Sequence, residues 1–245
     1  MSDVQEIEEG QDAEPSSVGP ATFAAFPISA EVRDAIAAKG FETPTDVQSA
    51  VIEPATAGKD LVVQAKTGSG KTSAFGIPIT ERITVGTASP GEPLALVLVP
   101  TRELALQVAT EVRAVGKKKG LRCQAIYGGV SMGRQTAALE SGVEVIIGTP
   151  GRLLDHVRRK NLRLSGLQIV VLDEADEMLS MGFWDDVTDI LKMTPDGRQT
   201  MLFSATLPYQ VAHAAAQFLK EPARVDVSGD ILTVEGIENS IYHVK

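Results

Sequence analysis

Two short strings in the chain have the residue types needed to handle a triphosphate. Residues 65–72 read A-K-T-G-S-G-K-T and residues 173–176 read D-E-A-D. In the first, Lys66, Thr67, Gly68, Ser69 and Gly70 form a loop whose glycines allow backbone N–H groups to turn toward phosphate oxygens. The helix start that follows favours an anion. Lys71 is spaced to reach the β and γ phosphates, and the Thr72 hydroxyl is a hard oxygen ligand for Mg²⁺. Ala65 stands where the general pattern has its first glycine, but G-K-T between an apolar run and a helical one retains the chemistry. In the second string, Asp173 closes an apolar run, where a carboxylate is costly to bury unless it meets a cation. Mg²⁺ shared with Thr72 supplies one, with Asp173 holding it mainly through water. Glu174 is placed to polarise the attacking water. Lys71, Asp173 and Glu174 are therefore the expected catalytic residues of a nucleoside triphosphatase.

The elements around these strings must bring them together. Five runs, 61–63, 94–99, 145–147, 169–172 and 201–203, are apolar on consecutive rather than alternate residues, the pattern of strands buried on both faces. Weaker candidates lie at 122–127 and 223–227. Helical stretches are expected over 31–39, 45–56, 71–83, 103–117, 133–139, 151–159, 184–191 and 208–219. In the third, Phe75, Ile79 and Ile83 mark the buried face, and Pro78 predicts a kink or an early end. Strand and helix alternate throughout, which predicts an α/β fold of three layers with a mostly parallel central sheet. Both strings then lie at the carboxyl edge of that sheet, where open α/β folds hold ligands.

Size and composition bound the rest. A chain of 245 residues with 43% hydrophobic residues suffices for one large domain with appendages. The net charge of −9 argues against a nucleic-acid surface, but Asp3, Glu6, Glu8, Glu9, Asp12 and Glu14 carry six of those charges. Removing them leaves −9 + 6 = −3 for the remainder, which neither supports nor excludes one. No apolar stretch approaches the roughly 20 residues that cross a bilayer, and the acidic start lacks the features of a secretion signal. The lone Cys123 reads as a packed strand residue, and His156, His213 and His243 have no metal-ligand spacing. A cytoplasmic protein without a membrane partner is expected. The division expected is a disordered acidic tail over 1–22, a folded domain over 23–227, and a linker with the opening of a further domain over 228–245.

Ahead of the first strand, Phe41 offers a stacking face, worth about 1–3 kcal/mol per base in comparable settings. Gln48 can pair its amide with N6 and N7 of adenine, which guanine's O6 cannot match. The alternative is Phe41 in the core and Gln48 on a surface helix.

With these residues in place the chain resembles the DEAD-box family of RNA helicases over nearly all of 23–227. Phe23, seventeen residues before Gly40, and G-F-E-T-P-T-D-V-Q at 40–48 resemble the family's adenine-recognition segment, which adds Thr43 to Phe41 and Gln48. P-T-R-E-L at 100–104, Gly128-Gly129 and T-P-G-R at 149–152 resemble the strips that hold the RNA sugar-phosphate backbone. The resemblance thus implies RNA contacts at Pro100, Thr101, Arg102, Gly128, Gly129, Thr149, Pro150, Gly151 and Arg152. S-A-T at 204–206 resembles the coupling segment, implying that Asp176, Ser204 and Thr206 link the nucleotide site to RNA. The residue chemistry agrees: the arginines can grip phosphates and the glycines allow close approach, which reads backbone shape rather than base sequence.

The resemblance implies a RecA-like P-loop domain using ATP and Mg²⁺, and a second RecA-like domain that supplies arginines to the phosphates. No H-R-x-G-R-x-G-R stretch occurs in the chain, and 237–244 resembles only that domain's opening. An arginine finger contributes about 10³–10⁵ in rate at related sites. The chain alone is therefore expected to bind ATP or ADP and to turn over slowly. Two alternatives stay open: a stand-alone nucleotide-dependent binding module for RNA or protein, and a related DNA-directed motor.

Overall fold

The computed structural model describes residues 22–228. The acidic tail, most of the linker, the strand opening at 241–245 and His243 lie outside the described residues.

Among the described residues seven strands form one sheet: β1 (Leu61–Gln64), β2 (Ala95–Leu98), β3 (Cys123–Ile126), β4 (Val145–Gly148), β5 (Ile169–Leu172), β6 (Gln199–Ser204) and β7 (Ala223–Asp226). Their order is β3-β4-β2-β5-β6-β1-β7, with every pairing between them parallel. The helices are α1 (Ala30–Ala37), α2 (Asp46–Thr56), α3 (Lys71–Arg82), α4 (Arg102–Gly116), α5 (Met132–Glu140), α6 (Pro150–Arg158), α7 (Ala175–Ser180), α8 (Trp184–Lys192) and α9 (Tyr209–Phe218). The two weak strand candidates are the sheet's outer strands, β3 and β7. An outer strand is covered less completely, and β7 alternates between half-buried and exposed positions, so neither needs a continuous apolar run.

The consecutive apolar residues of the inner strands divide between two cores. Val63, Val97, Ile147, Val171 and Phe203 pack with Val51 of α2, Phe75 of α3 and Val108 of α4. Val62, Leu96, Leu98, Ile146, Val170 and Leu202 pack with Leu153 of α6, Ile190 of α8 and Val211 of α9. This is the three-layer arrangement, with a smaller third cluster outside it. There, Phe23, Phe26, Val32 and Ile36 pack over Ile52, Ile77 and Val115 of α2, α3 and α4.

Helix α3 is thus enclosed on nearly all sides. Phe75, Ile79 and Ile83 face the sheet core as the spacing predicts, while Ile77 enters the outer cluster. Phe75 meets Phe203 edge-on, with centroids 5.2 Å apart. Pro78 does not end the helix, which runs to Arg82; packing on both sides outweighs the hydrogen bond that proline removes. Lys118 and Lys119, just past the end of α4, pair with Asp34 of α1 and Glu81 of α3 at 2.7 Å each.

Candidate active site

The parallel register aligns the loops that carry chemistry. Ile126, Gly148, Leu98, Leu172 and Leu202 are successive partners across β3, β4, β2, β5 and β6. The next residues continue the ladder: Thr149 N donates to Ile126 O (3.1 Å), Asp173 N to Leu98 O (2.9 Å) and Ala65 N to Ser204 O (3.0 Å). Along this one rim the order is Gly128-Gly129, 149–152, 100–102, 173–176, 204–206 and 65–72. Chain order is therefore rearranged into two neighbouring groups, with the candidate RNA strips on one half and the phosphate and carboxylate strings on the other.

On the second half a cavity of about 270 Å³ is lined by Phe41, Gln48, Thr67, Gly68, Gly70, Lys71, Thr72, Asp173 and Glu174. Gly70 is the left-handed N-cap of α3 (φ 97°). A Cβ there would lie 2.6 Å from Gln48 Nε2 and 2.9 Å from Thr45 Oγ1 on a left-handed backbone, so any other residue is strained and must displace that pair. Lys71 is buried and its Nζ donates to Ala65 O at 3.1 Å, which curls the loop back on its own strand. Thr43, Lys66 and Ser69 do not line the cavity, and Ser69 Oγ is buried without a hydrogen-bond partner.

Gln48 is neither exposed nor idle. It is 4% exposed and completes a capping box with Thr45: Thr45 N donates to Oε1 (3.0 Å) and Gln48 N to Thr45 Oγ1 (3.4 Å). Its Nε2 donates to Gly70 O at 3.2 Å, tying α2 to the phosphate loop. One amide hydrogen and one lone pair of the side chain remain for a base. Phe41 is 40% exposed, not a core residue, and borders the same cavity.

Asp173 is 2% exposed at the end of β5. Burial pushes its carboxyl up to about 7, against the pull of Lys71 and with the push of Glu174 and Asp176. A cation at this position would favour the ionised form and remove the cost of burial. With the Thr72 hydroxyl in the same cavity, the donors are hard oxygens, a set that fits Mg²⁺ completed by phosphate oxygens and water. Glu174 has φ 52° and ψ 53°, a left-handed conformation costly for a residue with a side chain. It turns β5 directly into α7, a helix too short to show periodicity in the sequence. Asp176 on that helix meets the loop after β6: its N–H donates to Ser204 Oγ at 3.1 Å, and Thr206 donates to its carboxylate.

On the other half, Thr101 caps α4 by accepting from Leu104 N at 3.2 Å, and its own hydroxyl hydrogen stays available. The Arg102 guanidinium lies 5.1 Å from the centroid of the Tyr127 ring, joining the ends of β2 and β3. Gly128 and Gly129 are exposed, and Thr149 and Gly151 half-buried. Pro100 and Pro150 are buried, and Pro150 opens α6. Arg152 is partly committed inward, its Nη1 donating to Val130 O (3.0 Å) and Gln135 Oε1 (3.1 Å).

Sequence reasoning missed the residues behind both halves. Gln135 bonds Tyr127 O (3.0 Å), Arg152 and the buried His156 (3.1 Å), fastening the Gly128-Gly129 turn to α6. Burial, together with the Arg152 cation, holds the His156 imidazole below its ordinary value. Leu104, Gln107 and Glu111 of α4 complete the cavity wall, and their three- and four-residue spacing was a legible signal of one helix face.

The model of the DEAD/DEAH box helicase family matches residues 45–214. A DEAD-box ATP-dependent RNA helicase, CshA of Bacillus subtilis, is 44% identical over 226 residues, covering 91% of this chain and 45% of that protein. The RNA helicase CrhR of Synechocystis sp. is 46% identical over 223 residues, with 91% and 44% covered. The chain thus spans about half the length of the curated relatives it matches. A crystal structure of a DEAD box protein from Methanococcus jannaschii superposes with a TM-score of 0.80 at 39% identity, covering 85% of this chain and 56% of that one. The fold is RecA-like, and the chain belongs to the DEAD/DEAH box helicase family.

Proposed function

We propose that the chain is the ATP-binding, RNA-gripping half of an ATP-dependent RNA helicase. The observation that carries this reading is the order of loops along the rim, which sets a phosphate and carboxylate cavity beside strips suited to a sugar-phosphate backbone. Phe41 and Gln48 recognise adenine, Lys71 and the loop N–H groups bind the β and γ phosphates, and Thr72 and Asp173 hold Mg²⁺. The metal, when bound, neutralises charge on the phosphate oxygens. Glu174 orients a water and takes its proton as it attacks the γ phosphate. Thr101, Arg102, Gly128, Gly129, Thr149, Gly151 and Arg152 grip RNA without reading its sequence. The clamp of Asp176 on Ser204 and Thr206 passes the state of the nucleotide to a second RecA-like domain, which supplies the remaining arginines and the other half of the RNA groove.

Among the described residues no helix is long and apolar enough to cross a membrane, and a cytoplasmic location fits the reading. The test is equilibrium binding of a fluorescent ADP with Mg²⁺ and of matched RNA and DNA strands, followed by steady-state ATP hydrolysis with and without single-stranded RNA. Expected are ADP binding, slow turnover and little stimulation. Failure to bind ADP overturns the nucleotide site, strong RNA stimulation overturns the need for a second domain, and a clear preference for matched DNA strands overturns the RNA assignment.

A further inference from the structure

Three residues around the cavity form a connected chain that no motif of the sequence reading includes. Glu111, on the cavity-facing side of α4, is an acceptor at both oxygens. Ser73 Oγ, one residue past Thr72, donates to its Oε1 at 2.7 Å. Its Oε2 forms an ion pair with Lys39 Nζ, at side-chain exposures of 20% and 22%. The same Lys39 Nζ lies 4.9 Å from the centroid of the Phe41 ring. Phe41, and not Lys39, lines the cavity, so the ammonium braces the ring while leaving a ring surface to the cavity.

This brace answers a physical difficulty. Phe41 is 40% exposed and sits just past the end of α1, held by its backbone N–H to Ile36 O at 3.4 Å. A ring so weakly packed loses conformational freedom when a base stacks on it, and that loss subtracts from affinity. A cation over the ring fixes it in advance, and fixing the cation requires an anion on a rigid element. Glu111 supplies that anion from the third turn of a long helix. Its other oxygen, Oε1, holds the first turn of α3 through Ser73, so one carboxylate spaces the stacking ring from the phosphate cradle.

We propose that Glu111 is a positioning residue for nucleotide: through Lys39 it pre-sets Phe41 for the base, and through Ser73 it fixes the distance from base to phosphates. The inference rests on the nucleotide reading of the cavity. Its signature is a loss of affinity that depends on the presence of a base.

The test uses the full chain and three variants, Glu111→Gln, Lys39→Met and Lys39→Arg, with binding of fluorescent ADP and competition by inorganic tripolyphosphate. Glu111→Gln keeps an acceptor for Ser73 and loses the ion pair. We expect it and Lys39→Met each to weaken ADP binding about three- to tenfold, within the range of a cation–π contact and a half-buried ion pair. Tripolyphosphate affinity should stay within about twofold, and Lys39→Arg, which keeps both the charge and the ring contact, should restore most ADP affinity. Unchanged ADP affinity in Glu111→Gln overturns the inference. So does an equal loss for ADP and tripolyphosphate, which indicates a general structural role. If the unaltered chain binds no ADP, the reading of the cavity fails first, a result distinguishable from either.

Discussion

Asp176 and Thr206 are joined twice. The Thr206 backbone N–H and Oγ1–H donate to the same oxygen, Asp176 Oδ2, at 2.9 and 2.8 Å. Burial raises the Asp176 carboxyl, but bonds from Thr206 and Ser204 outweigh it and hold the group below the usual carboxylate range. The first turn of α7 is thereby clamped to the loop after β6, the strand between the carboxylate string and the phosphate loop. Thr206→Ala deletes one of the two donors to a charged acceptor on an exposed loop. The expected cost is about 0.5–1.5 kcal/mol by urea denaturation, with Thr206→Ser regaining most of it. Equal stability of all three proteins would show that the hydroxyl bond contributes nothing in solution.

Gly68 and Gly70 share left-handed backbones, φ 82° and 97°, but not surroundings. A Cβ at Gly68 meets nothing within 4 Å, whereas at Gly70 it meets Gln48 Nε2 and Thr45 Oγ1. Gly68→Ala should therefore cost only the conformational term, about 1–2 kcal/mol. Gly70→Ala adds the displacement of the capping box and should cost roughly 2–4 kcal/mol. Thermal unfolding of the two variants compares them directly. A larger loss for Gly68→Ala would mean that the contacts of Gln48 do not govern the loop.

The inner strands were legible because burial on both faces forces continuous apolar runs, and the two glycine and carboxylate strings were legible because their chemistry tolerates few substitutes. Strand order was not. Nothing in the sequence says that β6 lies between β1 and β5, or that β4 lies between β3 and β2, since crossover connections carry no mark of which neighbour they reach. Gln48 shows a second limit. Its spacing from Thr45 is a readable capping signal, but its bond to Gly70 spans 22 positions and exists only once α2 packs beside α3. Helix α7 was hidden by its brevity. Gln135 and His156 were hidden because buried polar residues resemble surface ones until the fold encloses them.

Glu174 lines the cavity from a strained backbone, one residue past a buried carboxyl. Glu174→Gln preserves shape and hydrogen bonding and removes the ability to accept a proton. Single-turnover hydrolysis should fall by about 10²–10⁴, while affinity for ATP changes by less than about threefold. A collapse of affinity with hydrolysis proportionally retained would move Glu174 from catalysis to binding.

Far from the cavity, Glu144 offers a test of the fold through pH. Its side chain is fully enclosed at the start of β4, where it accepts from the N–H groups of Gly86 (3.0 Å) and Arg122 (2.9 Å) and pairs with the Arg122 guanidinium. Burial opposes ionisation, but these donors prevail and the carboxyl lies below its ordinary 4.5. A depressed folded-state value means that the ionised group adds stability above the unfolded value and that this is lost as pH falls through the folded one. Glu144→Gln turns an N–H toward one of the donors, an expected loss of about 1–3 kcal/mol at pH 7. The gap between the two proteins should hold from neutrality down to about 4.5 and narrow below it. Urea midpoints across that range measure it, and a gap that widened on acidification would contradict an ionised Glu144 in the folded chain.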